Sequence, residues 1–310
     1  MSTIPILDWP RFATEGRQAG FVADLGRACR ETGFFLLTGH GIADALMEEV
    51  FTLSAAFFAL PDRDKEPLSI RSNPHNRGWV TLGAERLDDR SSQIDRKEAF
   101  NIGLEMAADD PRLLRGEAFR GVNLWPELPG FRAGMLAYFD AVWRLGIGLM
   151  RAVASDLRLH PQFFDLDFDA PMATLRLLHY PAGSGARDEI GAGAHTDYGA
   201  LTLLATDGTA GLQVQGKDGG WLDVPHVPGA LVVNIGDCLM RWTNDIYAST
   251  PHRVLPPPRA RQSVAFFLDP NPDSMIAALP GTGAARYDPI IAADYLRGRL
   301  DATYAPKGKP

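Results

Sequence analysis

Cysteine is nearly absent from the 310 residues: Cys29 and Cys238 are the only two, and no CxxC occurs. That excludes a disulfide framework and a cysteine-ligated zinc site. Positive charge is also in deficit, with 31 Lys and Arg against 38 Asp and Glu and a net charge of −7. A nucleic-acid surface needs a basic stripe, so no nucleic-acid partner is expected. No apolar run approaches the ~18 residues of a membrane span. The opening "MSTIPILDWPRF" lacks a basic segment followed by an apolar one, so no signal peptide is read. A cytoplasmic protein without membrane contact is the expectation. What is present suits a folded chain: 45% hydrophobic and 22% charged residues, enough for a full core.

Helical spacing comes first along the chain. "QAGFVADLGRACRETG" repeats Phe21, Val22, Leu25 and Cys29 on one side, with Gly33 placed to cap the end. "FFLL" then reads as a buried strand. "ADALMEEVFTLSAAFFAL" is a second amphipathic helix, stopped by Pro61. Residues 62–128 are rich in charge and turn formers, and "RSNPHNRGW" reads as a loop. A long helix is predicted from Phe131 to about Leu159, with Leu136, Phe139, Trp143, Ile147, Met150 and Leu157 as its core-facing stripe.

After residue 170 the texture changes. "ATLRLLHYP", "GALTLLATD", "GLQVQ", "WLDVP", "ALVVNIG", "HRVLPP" and "QSVAFFLDP" are short β-type runs separated by turn clusters. Such spacing predicts a sandwich or barrel. No repeat or linker divides the chain. The expected organisation is one unit over 1–310: a mainly helical part over 1–169, the β region over 170–270, and a C-terminal segment over 271–310.

Within "GAGAHTDYGALTLL", His195 and Asp197 are two positions apart, so on a strand they share a face. A lone His-x-Asp is usually a hydrogen-bonded structural pair. His252 in "STPHRV" changes that reading. Two imidazoles and one carboxylate form the facial-triad ligand set of iron(II), which leaves coordination positions open, whereas a closed structural zinc site needs four protein ligands. Further on, "RQSVAFFLDP" puts Arg261 and Ser263 on one strand face. An arginine entering an apolar run needs an anion, and its planar fork suits a carboxylate; the alternative is a surface arginine on an edge strand.

Taken in order, "IPILDW", "ACRETGFFLLTGHGI", "FFALPDRDKEP", "RGW", "DRKEAFNIG", "GAHTDYGALTLL", "GLQV", "VVNIGD", "STPHRV" and "RQSVAFF" resemble the isopenicillin N synthase-like branch of the iron(II)/2-oxoglutarate oxygenases. The resemblance runs along nearly the whole chain. It implies a β-rich α+β fold, with a double-stranded β-helix (jelly roll) core flanked by helices. It implies that His195, Asp197 and His252 are catalytic iron ligands, and that Arg261, Ser263 and Tyr180 grip the distal carboxylate of 2-oxoglutarate. The family often carries asparagine two residues before that tyrosine; here Leu178 stands instead. The cofactors so implied are Fe(II), 2-oxoglutarate as co-substrate, O₂ and ascorbate as a reductant. The products are CO₂, succinate and a small molecule altered at a C–H bond by hydroxylation, desaturation or ring closure. A monomer acting on a small-molecule substrate is expected.

Two arginines are further substrate candidates. Arg176 shares the Tyr180 face, where it lines the cavity or only bridges strands. Arg77 in "NPHNRGWV" is either a solvated loop arginine or a cation reaching an anionic substrate group. His179 points away from Tyr180 and is expected to be packed or at the surface. Competing readings are ethylene-forming breakdown of 2-oxoglutarate, a zinc hydrolase with the same three ligands, and a non-catalytic β-barrel binding module. The hydrolase leaves Arg261, Ser263 and Tyr180 without a task and has no HExxH. "GTGAAR" lacks the third glycine of a nucleotide-binding loop.

Overall fold

A computed structural model describes residues 3–88, 93–186 and 189–304; residues 1–2 and 305–310 of the expected terminal segments lie outside them. Twelve strands build two facing sheets. In chain order they are β1 (Ile6–Asp8), β2 (Phe34–Thr38), β3 (Gly78–Val80), β4 (Glu98–Gly103), β5 (Thr174–Tyr180) and β6 (Ala192–His195). They continue with β7 (Leu201–Thr206), β8 (Leu212–Gln215), β9 (Trp221–Asp223), β10 (Leu231–Ile235), β11 (His252–Val254) and β12 (Arg261–Leu268). The large sheet runs β1-β2-β10-β7-β12-β5-β4-β3, and the small one β6-β11-β8-β9. All their pairings are antiparallel except β1 with β2.

Alternation along the strands sorts the side chains into two cores. On β5, β7, β10 and β12, residues such as Leu177, Leu203, Val233 and Phe266 join the helix-side cluster. Their alternates Leu178, Val232 and Ala265 face the small sheet. The expected jelly-roll core flanked by helices is what forms.

Three long helices cover the outer face. Gln18–Glu31 ends where Gly33, at φ 64°, returns its N–H to the Ala28 carbonyl at 2.9 Å. Only glycine takes that left-handed position freely, and a Cβ would also strike the Ala248 carbonyl. The second helix is Asp44–Phe58. The third, Phe131–Asp156, ends three residues before the expected Leu159, with Leu157 as its cap. Its buried face also differs from the expected stripe. It is centred on Met135, Phe139, Val142, Leu149 and Val153, whereas Leu136, Trp143, Ile147 and Leu157 lie at the margins. The other two helices pack along this one, so its apolar surface is wider than a single stripe and its axis is rotated. Phe139 meets Phe266 of β12 edge-on at 5.0 Å; removing that ring costs about 3–5 kcal/mol.

The region 62–128, read as charged turns, contains β3 and β4. Every residue of β4 is buried, including Glu98 and Asn101. The N-terminal part therefore supplies four strands of the large sheet as well as helices. Both expected thiols, Cys29 and Cys238, are buried and free. Among the described residues no helix is long and apolar enough to cross a membrane.

Candidate active site

β6 and β11 bring two imidazoles together directly. His195 is the cross-strand partner of His252, and the rings lie 4.3 Å apart. Each Nδ1 sits against a main-chain carbonyl, Gly193 at 2.7 Å and Thr250 at 3.2 Å. A carbonyl only accepts, so each Nδ1 carries a proton, and in the neutral ring Nε2 is then the nitrogen that presents a lone pair to the shared space. Phe34 meets His252 edge-on at 5.3 Å and fixes its ring plane.

Asp197 arrives differently from the expectation. β6 stops at His195, so alternation along one strand does not pair His195 with Asp197. The chain leaves the small sheet there and crosses to the large one. Asp197 is captured by Thr202 of β7, which donates to Oδ2 at 2.5 Å, and by Asn234 of β10, which donates to Oδ2 at 2.7 Å. Oδ1 is left facing the imidazoles, 3.9 Å from His195 Nε2 and 3.6 Å from His252 Nε2. The three donor atoms lie within 4.8 Å of one another. Two neutral nitrogens and one carboxylate oxygen, each oriented by a partner behind it, fit a divalent transition metal with positions to spare.

Electrostatics agree with that fit. Burial, then the neighbouring His252, holds the His195 imidazolium pKa well below the ordinary value. Burial alone would raise the Asp197 carboxyl, but His252, His195 and the bonds from Asn234 and Thr202 bring it below the usual carboxylate range. A neutral His195 beside an ionised Asp197 carboxylate is the protonation state that binds metal.

Arg261 opens β12 on the inner face of the same cavity. It is 1% exposed and opposite Tyr180 of β5. Its Nε donates to the Thr209 carbonyl at 3.2 Å, its Nη1 reaches Ser263 Oγ at 3.4 Å, and its guanidinium lies 5.0 Å above the Tyr180 ring. No carboxylate partners it among the described residues. Ser263 and Leu178 are also cross-strand neighbours on this face, so the Leu178 position is an apolar wall.

Arg176 proves to be both a lining residue and a bridge. It faces the cavity from β5 and donates to Asn101 Oδ1 of β4 at 3.2 Å and to Glu85 at 2.6 Å. His179, on the opposite face, is packed against Phe58 and bonded to Glu98 at 3.0 Å.

Arg77 corrects the expectation of a flexible rim cation or a solvated one. It is 2% exposed, and its guanidinium donates to the carbonyls of His75 at 3.0 Å and Phe119 at 3.3 Å. Burial, followed by the nearby Arg120, lowers its pKa to about 10. It lies flat on Gly103, where any Cβ would collide with the guanidinium. Short main-chain acceptors turn this side chain inward, away from the cavity; Asn76 beside it is the residue that lines the cavity.

Several lining residues escaped the sequence reading. Thr202 and Asn234 had a signal, as single polar residues within the apolar runs "LTLL" and "VVNIG". Asn101 had none, because its strand was hidden in a charged region. Phe267 and Asp269 continue the inner face of β12. Burial, with the Asp197 carboxylate adding to it, pushes Asp269 up to about 7. The C-terminal helix Ala292–Tyr304 closes one side through Leu296 and Leu300, and Arg299 ties it to Asp237 at 2.8 Å. The space inside this half-open cavity is about 170 Å³.

Residues 171–270 match the 2OG-Fe(II) oxygenase superfamily, and residues 4–128 match the family described as non-haem dioxygenase in morphine synthesis N-terminal. The chain belongs to the 2OG-Fe(II) oxygenases: it is a 2-oxoglutarate-dependent dioxygenase that uses Fe(II) and acts on a small molecule. It is 38% identical to the 2-oxoglutarate-Fe(II) type oxidoreductase hxnY of Emericella nidulans, over 97% of this chain and 90% of that one. Clavatol oxidase claD of Penicillium crustosum is 33% identical over 97% of each. Among solved structures, the full-length Neurospora crassa protein in complex with alpha-KG and thymine superposes with a TM-score of 0.87 at 35% identity, covering 96% of each chain. These likenesses support oxidation over the zinc-hydrolase, binding-module and ethylene-forming readings.

Proposed function

We propose that His195, Asp197 and His252 hold Fe(II), and that Arg261, with Ser263 and Tyr180, receives the distal carboxylate of 2-oxoglutarate while a C–H bond of a small ring compound is oxidised. The observation that carries this reading is a buried arginine that meets no carboxylate among the described residues, in one cavity with the His-Asp-His cluster. A guanidinium withdrawn from water needs an anion, and a planar carboxylate matches its fork.

Iron, when bound, supplies O₂ activation coupled to oxidative decarboxylation of 2-oxoglutarate. The chain's own residues do the rest. Gly193 and Thr250 hold the imidazole tautomers, and Thr202 with Asn234 keeps Asp197 Oδ2 engaged so that Oδ1 alone is offered. Arg261 fixes one end of the co-substrate, and Tyr180 shields that ion pair from water. Leu178 makes the adjoining wall apolar, so the grip rests on Arg261 and Ser263. The thymine and 5-formyluracil complexes of the Neurospora crassa relative support a small ring compound as the substrate.

The test is anaerobic reconstitution with Fe(II), then air, scoring succinate release against a panel of small ring compounds. One iron per chain and 2-oxoglutarate-dependent succinate are expected. Metal binding that survives loss of all three ligands, or succinate release indifferent to Arg261, overturns the assignment.

A further inference from the structure

Five alternate side chains along and just past β12 line the cavity: Arg261, Ser263, Ala265, Phe267 and Asp269. Eight residues of extended chain span roughly 26 Å, so Arg261 and Asp269 stand at opposite ends. The metal-binding cluster lies between them, because Asp197 is held by Thr202, the cross-strand partner of Phe267.

Asp269 has no task in the reading above. It is 6% exposed, and among the described residues it has neither a hydrogen bond nor an ion pair. Its Oδ1 occupies the space beside Gly199 that a Cβ would need, so the backbone there has made room for it. Burying a carboxyl without a donor is costly, and buried polar groups in folded chains are nearly always satisfied. The other charged lining residues satisfy one another: Lys97 sits on Asp95 and, at 3.4 Å, on Glu85, which also takes Arg176. With Fe(II) on Asp197 and doubly charged 2-oxoglutarate reaching Arg261, those charges cancel as well. Asp269 is then the uncompensated group. The partly exposed ring of Phe267 lies two residues away on the same face and offers a flat apolar surface.

We propose that Asp269 determines which primary substrate is accepted, by taking a hydrogen bond from an N–H or protonated nitrogen of a small planar ring compound lying against Phe267. This inference rests on the oxygenase reading of the cavity. It assigns to the substrate a donor edge directed at Asp269.

Three planar probes of nearly equal shape test it: benzamidine, a cationic donor; benzamide, a neutral N–H donor; and acetophenone, which has no donor. Each is titrated calorimetrically into protein loaded with 2-oxoglutarate and Mn(II), which occupies the site without oxygen chemistry. Benzamidine is expected to bind at least about tenfold tighter than acetophenone, with benzamide between them, the range for a charge-assisted bond. In Asp269→Leu the three affinities converge to within about twofold. Asp269→Asn retains the advantage of benzamide but loses that of benzamidine. Equal affinities in the wild type, no binding of the two donors, or a donor preference that survives Asp269→Leu overturns the proposal. Affinity for 2-oxoglutarate, measured on every variant, is the control for folding. If wild type itself fails to bind 2-oxoglutarate in the presence of metal, the oxygenase reading has failed, and this inference falls with it.

Discussion

Two arginines, Arg261 and Arg77, are buried to the same degree in two different regions, and neither meets a carboxylate among the described residues. At the β3–β4 edge, Arg77 is turned onto main-chain carbonyls and lies flat on Gly103. At the cavity end of β12, Arg261 has one carbonyl and one distant hydroxyl, and its Nη2 has no partner among the described residues. In the first region main-chain carbonyls take both Nη groups and leave only the buried Nε without a partner, whereas in the second Nε is taken and the outer Nη edge is left open toward the cavity. Burial of charge alone therefore does not mark a binding residue. What separates the two is whether the terminal guanidinium nitrogens already meet main-chain acceptors.

The largest expected effect belongs to the His-Asp-His cluster proposed to hold the metal. His195→Ala or Asp197→Ala removes one of three donor atoms, and turnover is expected to fall below detection in succinate assays with iron near stoichiometric levels. Measurable wild-type rates would separate the cavity from the chemistry.

Arg77→Ala tests the other region. Stability should drop by about 2–4 kcal/mol in denaturant titrations, from the void over Gly103 and the orphaned carbonyls. KM for 2-oxoglutarate should stay within about twofold. A raised KM with unchanged stability would make the two arginines alike after all.

Asn234→Leu sharpens the contrast between holding and being held. Asp197 Oδ2 would keep only the Thr202 bond, so iron affinity should fall roughly 10- to 100-fold, as is usual when the partner behind a metal ligand is lost. Equilibrium metal titration reads it. Arg261→Lys keeps the charge and loses the fork; KM for 2-oxoglutarate should rise about tenfold, with iron affinity nearly intact.

The smallest expected effect belongs to folding alone. His40 accepts the Ile42 N–H at Nδ1, at 3.2 Å, and donates from Nε2 to the Gly229 carbonyl at 2.9 Å, which requires the neutral ring. Burial holds its pKa below the ordinary value. The unfolded chain therefore binds the proton more readily, and the stability from neutral His40 is complete above the unfolded value of ~6.5 and lost as pH falls through it. His40→Gln should flatten that slope in thermal melts between pH 5 and 7, an effect of about 1 kcal/mol or less. KM for 2-oxoglutarate should not follow it.

Legibility followed the local rule available at each place. Alternation along β12 placed Arg261 and Ser263 on one face correctly, because that strand runs straight through both. The same rule misplaced the basis of the His195–Asp197 pairing. Their common orientation comes from a crossing between sheets, and that depends on Thr202 and Asn234, seven and thirty-nine positions beyond His195. β4 was invisible because Glu98 and Asn101 are buried by partners from distant segments, so its composition imitates a loop. Arg77 could not be read at all: the acceptors that claim it are main-chain atoms, which any sequence supplies.

The scarcity of cysteine takes on a second meaning once the cavity is known. An oxygen-activating centre that fires without substrate releases oxidants inside its own protein, and thiolates are the first side chains such species consume. Cys29 lies fully inside the helix-side core and Cys238 in the helical turn after β10, and burial pushes both thiols toward the inert protonated form. Idle turnover thus finds no reactive sulfur of this kind near the iron. A thiol exposed beside the ligand shell would instead be consumed by such misfires and need repair.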